Sequence, residues 1–303
     1  MVAPAARAAR CGHTSRAKDM ILGFGKHGQL ATKLRAYEDV RTMGRDEADL
    51  AQPEVCADII KRLQPRFVIN AAAFTAVDRA EAEKTAAMQL NAAAPTILAK
   101  ACATLDIPFV HVSTDYVFDG SGDQPWQPSD RPNPQNVYGQ SKYEGELGVA
   151  GAGGRYAIVR TSWVVSSLGS NFVKTMLRLS RERKKLNIVS DQVGGPTSAR
   201  ALAAALMRIG DRLCDDEKLS GIYHYAGSPY VSWASFAEDI FREAGLEVSV
   251  APIPTSQYPT PAKRPLNSRL DCRSTYEAFG LAPAHWRDDL PLIIKACLKE
   301  QIP

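Results

Sequence analysis

From residue 20 onward, short apolar runs alternate with longer stretches in which apolar positions recur every three or four residues. Runs of four to six apolar residues bounded by Gly, Pro, Asn or Asp read as strands buried on both faces. Residues 20–24, 40–43, 67–71, 109–113 and 156–160 fit that pattern. The stretches 29–36, 53–63 and 81–105 between them read as helices, the last with Pro95 as a boundary or kink. This alternation predicts an α/β fold, a doubly wound parallel sheet with helices on both faces. Residues 119–136 hold four prolines among glycines and polar residues and read as a long surface loop. Past residue 162 the alternation weakens, and amphipathic stretches at 171–183, 198–213 and 232–244 are separated by turns. Expected organisation is therefore a disordered leader over 1–17, a sheet domain over 18–164 and a smaller C-terminal lobe over 165–303, some of whose segments return to the sheet.

Composition narrows the partners. The chain has 303 residues, 45% hydrophobic and 23% charged, which is the profile of an ordinary globular protein. Most of the net charge of +4 comes from Arg7, Arg10 and Arg16 in a leader without acidic residues, so no basic surface for nucleic acid is expected. No apolar run is long enough for a membrane span, and the leader lacks the apolar segment of a secretory signal. Six scattered cysteines, with no Cys-x-x-Cys pair, read as thiols of a reducing cytoplasm rather than as metal ligands. Neither a His-Glu-x-x-His nor a Gly-x-Ser-x-Gly pattern occurs, which argues against a zinc site and a serine hydrolase.

Candidate chemistry begins at the end of the first strand. Gly23-Phe24-Gly25-Lys26-His27-Gly28 fits a dinucleotide-binding turn, and Gly25, Gly28 and Ala31 give the register in which backbone approaches a pyrophosphate. The sheet is thus expected to be a Rossmann-type domain. After the second strand, where an acidic residue would bind the ribose of NAD, the chain has Gly44-Arg45; a guanidinium there suits the 2′-phosphate of NADPH, or is simply a solvated charge. Asp49 is placed to meet the adenosine half or to cap a helix, and the small Ala71, Ala72 and Ala73 allow close approach of the nicotinamide half. Ser113-Thr114-Asp115 ends a central strand, where open α/β sheets bind ligands. Thr114 is a hydrogen-bond donor for a carbonyl oxygen or a turn cap. Some 110 residues after Gly25, Tyr138 precedes Lys142 by one helical turn. A phenol holds its proton at neutral pH and can give it to an oxygen becoming an alkoxide; the ammonium is expected to lower the phenol's pKa towards working pH and to reach a ribose hydroxyl.

Several longer motifs carry a resemblance. Asn70 to Asp78 (NAAAFTAVD), Arg160 to Val164 (RTSWV), Asp191 to Thr197 (DQVGGPT) and Tyr258 to Ser268 (YPTPAKRPLNS) are similar to those of the dTDP-4-dehydrorhamnose reductases, extended short-chain dehydrogenases/reductases, over roughly residues 19–300. The resemblance implies NADPH-dependent reduction of the 4-keto group of dTDP-4-dehydro-β-L-rhamnose. It implies Tyr138 as proton donor, with Lys142 and Thr114 as its partners. Gly28, Gln29, Leu30, Asp49, Leu50, Ala73, Phe74 and Thr75 would line the cofactor; Thr114, Asp115 and Trp163 would touch the sugar. Arg264 and Asn267 match the late motif, where a guanidinium suits a diphosphate. The smaller lobe would bind the dTDP-sugar. A homodimer is compatible with the resemblance, but Lys33 stands where some members carry an acidic residue for a bridging magnesium, which argues against metal bridging. NADPH is favoured without excluding NADH. The alternatives are another nucleotide-activated keto-sugar reductase or epimerase, and a cofactor-binding regulatory subunit without turnover.

Overall fold

Side-chain alternation along each strand decides which helix layer it meets. In the computed structural model, which describes residues 19–299, strands β1 (Ile21–Phe24), β2 (Val40–Met43), β3 (Val68–Asn70), β4 (Phe109–Thr114) and β5 (Tyr156–Thr161) share one sheet with Gly221–His224. The order is Gly221–His224, β5, β4, β3, β1, β2, and all neighbours are parallel. The winding direction reverses between β1 and β3, which opens a crevice at their carboxyl ends. Leu22, Phe24, Val68, Phe109 and Ile158 point to one face, against Cys56, Ile60, Leu98 and Cys102. Ile21, Ile69, Val110, Ala157 and Val159 point to the other, against Leu30, Leu34, Leu202, Leu206 and Ile209. The expected leader over 1–17 lies outside the described residues.

Helix Ala199–Asp215 and strand Gly221–His224 come from the second half of the chain yet complete the sheet and its cover. Ser198 starts that helix, its hydroxyl accepting from the backbone N–H of Arg200 at 3.2 Å. What remains of the second half forms a smaller lobe. Lys185–Val189 pairs in parallel with Ser249–Ile253, and Val193–Gly194 lies between Val231–Ser232 and Asn267–Ser268. Its core gathers Val173, Met176, Phe236, Ile240, Trp286 and Leu290.

The long helix expected over 81–105 is broken into Val77–Ala82, Lys84–Met88, a π-helical turn Gln89–Ala93, and Ala94–Thr104. Pro95 sits in the first turn of the last piece, where its missing N–H leaves no helical bond unmade. The π turn lies against helix Val137–Ala150, and the fit depends on Gly145: a Cβ there would come within 2.0 Å of the Asn91 carbonyl oxygen. Asn136 caps that helix through its side-chain oxygen, 2.7 Å from the Gly139 N–H. None of the helices among the described residues is long and apolar enough to cross a membrane.

Candidate active site

The turn after β1 places Gly25 at φ +109°, a conformation that favours glycine, with the position of a would-be Cβ only 3.4 Å from the Ala72 nitrogen and 3.5 Å from the Ala31 methyl. A Cβ at Gly28, by contrast, would meet nothing within 4 Å, so the turn opens outward there. A cleft of about 160 Å³ lies above it, walled by Gly25, Arg45, Asp49, Leu50, Ala72 and Ala73, with Leu90 of the π turn as an unforeseen apolar wall. Arg45 is 79% exposed, held only at 3.8 Å from Asp49, so its guanidinium is available to an anion. Lys26 is already neutralised by Asp46 at 3.0 Å and Glu47 at 2.7 Å. Asp49 also accepts the Ala51 N–H at 3.0 Å, so it stabilises the turn as well as facing the cleft.

Three expected cofactor residues direct their side chains elsewhere. Gln29 spends its side chain elsewhere: its amide donates to the Val164 carbonyl at 3.2 Å and accepts from Ser166 and Asn171, each at 2.9 Å. It therefore ties the glycine turn to the segment after β5 instead of presenting an amide to the cleft. Leu30 and Ala71 belong to the hydrophobic layer beneath the cleft and not to its wall. Phe74 is fixed by Asn91, which accepts its N–H at 2.8 Å and donates to its carbonyl at 3.1 Å. The same Asn91 amide donates to Ser141 at 2.9 Å, and the Ser141 hydroxyl donates to the Tyr138 carbonyl at 2.8 Å. One buried side chain thus couples the segment holding Ala73, Phe74 and the exposed Thr75 to the helix carrying Tyr138 and Lys142.

At the carboxyl end of β4 the structure brings together Thr114, Asp115 and Tyr138. The Tyr138 hydroxyl has Thr114 as its hydrogen-bonding neighbour, and its ring meets Tyr116 edge-on at 5.5 Å. The Thr114 hydroxyl lies 3.1 Å from Asp115 Oδ1 and accepts the Tyr116 N–H at 3.2 Å, so its single proton serves either the carboxylate or the phenol oxygen. Asp115 is buried; Ser268 and Thr114 bond its carboxylate, while Oδ2 has no partner. Burial outweighs those bonds and pushes the carboxyl up to about 6.

Burial also pushes the Tyr138 phenol up to about 12, against a smaller downward pull from the Thr114 hydroxyl. Lys142 makes its close contacts elsewhere. Its buried nitrogen donates to the Val112 carbonyl at 2.7 Å and lies 3.3 Å from His111 Nε2, while burial lowers its own pKa to about 8. His111 is a functional neighbour that sequence separation concealed. Its only signal was a polar residue inside the apolar run Phe109-Val110-His111-Val112.

The expected sugar contacts divide. Trp163, at φ +49°, stacks face to face on Trp233 with centroids 3.4 Å apart, and the Trp233 N–H donates to Gln192 at 3.2 Å. Arg264 donates to Asp78 at 2.7 Å and faces the Tyr116 hydroxyl, which brings a guanidinium beside the Tyr138 group. Asn267 is buried, its amide donates to the carbonyls of Ser121 and Gln124, and its oxygen accepts from Arg269. It holds the long loop over the site and has no donor left for a sugar. A second depression, about 370 Å³ between Asp106, Arg155 and Ser220, lies at the opposite ends of the strands, away from this chemistry.

A family model described as the RmlD substrate binding domain matches residues 19–299. The dTDP-4-dehydrorhamnose reductase of Sinorhizobium fredii is 42% identical over 286 residues, covering 91% of this chain and 97% of that one. The chain belongs to the dTDP-4-dehydrorhamnose reductase family. Among solved structures, the Clostridium acetobutylicum dTDP-4-dehydrorhamnose reductase superposes with a TM-score of 0.86 at 35% identity, covering 93% of this chain and 100% of that one. The Bacillus anthracis dTDP-4-dehydrorhamnose reductase, solved in complex with NADP, gives 0.85 at 32% identity, covering 92% and 99%. Family membership accounts for the Rossmann-type sheet.

Proposed function

We infer that this chain reduces the 4-keto group of dTDP-4-dehydro-β-L-rhamnose to dTDP-β-L-rhamnose with NADPH. The observation that carries the reading is the convergence of Thr114 and a protonated Tyr138 at the carboxyl end of β4, in a chain of this family. The open turn at Gly28 and the exposed Arg45 fit a phosphorylated dinucleotide. Gly25, Arg45, Asp49, Leu50, Ala72 and Ala73 would hold it, with Phe74 and Thr75 at the nicotinamide end. When bound, the reduced nicotinamide supplies the hydride.

The chain's own residues supply the proton and the position. Tyr138 keeps its proton at neutral pH because burial disfavours the phenolate, and gives it to the substrate's C4 oxygen as negative charge develops there. Thr114 donates its hydroxyl proton to the same oxygen or to the phenolate left behind, stabilising charge in a site with little water. Lys142 supplies an ammonium that steadies that phenolate. Arg264 and Trp163 grip the nucleotide-sugar from the smaller lobe. Free thiols at Cys56, Cys102, Cys214, Cys272 and Cys297 agree with a cytoplasmic location.

The test is to mix the purified protein with NADPH and enzymatically generated dTDP-4-dehydrorhamnose, follow absorbance of the reduced nicotinamide, and identify the product by chromatography. Oxidation with formation of dTDP-rhamnose is expected. A different sugar product would assign another keto-sugar reductase or epimerase, and no oxidation with any dTDP-keto-sugar would leave a regulatory role.

A further inference from the structure

Two motifs far apart in the sequence meet at one ion pair. Asp78 closes the run Asn70–Asp78, whose Ala72 and Ala73 wall the cofactor cleft, and stands in the first turn of helix Val77–Ala82; Arg264 lies in the run Tyr258–Ser268. The Arg264 guanidinium donates to Asp78 Oδ2 at 2.7 Å and the Ala262 backbone N–H donates to Oδ1 at 3.2 Å, so both carboxylate oxygens face the same strap. Neighbouring cations are engaged elsewhere: Arg79 is bidentate on Glu83 at 2.9 Å, and Lys263 donates to Gln135 at 3.2 Å. The strap is also tied to the catalytic side. Asn136, which caps the helix carrying Tyr138, donates its amide to the Lys263 carbonyl at 2.8 Å, and a Cβ at Gly120 would come within 2.5 Å of Pro265 Cα. Arg264 also bonds Tyr116, whose ring meets that of Tyr138 edge-on.

A guanidinium offers five N–H donors in a rigid fork, but it sits on a long side chain that loses rotamer freedom when it is fixed. Here Asp78 holds one edge of the fork, and the side chain is still 19% exposed, with N–H groups to spare for an anion. We propose that Asp78 is a positioning residue for the nucleotide-sugar: it holds Arg264 beside Tyr116 with the remaining N–H groups presented to the diphosphate of dTDP, and it contributes to sugar binding only through that guanidinium. A free carboxylate would repel a diphosphate; this one has a strap donor on each oxygen. Arg264 is therefore ordered before the ligand arrives, and an anchored diphosphate sets the sugar ring against Thr114 and Tyr138. This rests on the reading of the ligand as a dTDP-sugar.

Calorimetric titration of dTDP into the full chain loaded with NADP tests this without turnover, as a double-mutant cycle. Arg264→Ala should weaken dTDP binding at least about tenfold, and Asp78→Ala about three- to tenfold. The double variant should bind no more than about twofold worse than Arg264→Ala alone. The pair is partly exposed and costs the fold little, so NADP affinity should stay within about twofold in every variant. Additive losses from the two substitutions, or a matching loss of NADP affinity, would make Asp78 a scaffold for the backbone and refute its action through Arg264. Tighter dTDP binding by Asp78→Ala would show that the carboxylate repels the diphosphate and refute it equally. If the parent binds dTDP and Arg264→Ala binds it as well, the proposal is overturned and the reductase reading stands; a parent that binds NADP but no dTDP would overturn both.

Discussion

Replacing Asp115 by Asn should make the protein's stability less dependent on pH. The Asp115 carboxyl is buried, one of its oxygens has no partner, and its pKa rises from 3.8 to about 6 on folding. Folding therefore favours the protonated acid. The contribution of this group is fully present below about pH 4 and is lost as pH rises through about 6. A shift of about two units corresponds to roughly 3 kcal/mol. Asn keeps the shape and does not titrate. Urea unfolding followed by tryptophan fluorescence, at several values between pH 4.5 and 7.5, gives the stability of variant minus parent. That difference should grow with pH by about 2 to 3 kcal/mol, whatever its value at the acid end, where any loss from an imperfect amide contact is already counted. A difference constant to within about 0.5 kcal/mol, or one that shrinks with pH, would show that the buried carboxylate is not the strained group described here. Turnover should fall in the same variant, since stability gained by removing a strained site residue commonly costs activity.

Two further outcomes follow from the same structure. Arg45→Ala should raise KM for NADPH about tenfold, roughly 1.4 kcal/mol, while leaving NADH within about twofold; equal changes for both cofactors would remove Arg45 from phosphate recognition. Glu146→Gln leaves the buried Arg160 guanidinium uncompensated and should destabilise the fold by about 3 to 5 kcal/mol in chemical denaturation, whereas Glu182→Gln, which opens the exposed pair with Arg178, should cost under about 1 kcal/mol.

Sheet and glycine turn were legible because both are written locally. Strand alternation shows in four to six residues, and Gly25, Gly28 and Ala31 occupy one turn. The Tyr138 and Lys142 pair was legible for the same reason, being one helical turn apart. What the lysine does was not. Its nitrogen meets His111, 31 residues earlier, which in turn meets Asn70, 41 residues before that histidine, and only strand pairing brings those two side by side. The upward shift of the phenol follows from burial, which a spacing rule does not contain. Gln29 and Asn267 show a different limit: a motif gives a residue's place near a site, but not whether its amide is already bound to backbone. The π turn at Gln89–Ala93 was hidden because its sequence is ordinary Ala-rich helix, and only the contact of Asn91 with Phe74 and Ser141 accounts for its presence.

Tyr138→Phe removes one oxygen from the centre of the site and little else, so it asks most directly whether this phenol delivers the proton. Turnover with dTDP-4-dehydrorhamnose should fall at least about a hundredfold, while NADPH affinity, read by fluorescence titration, stays within about threefold. Near-normal turnover in a folded variant that still binds NADPH would contradict the assignment of Tyr138 as proton donor.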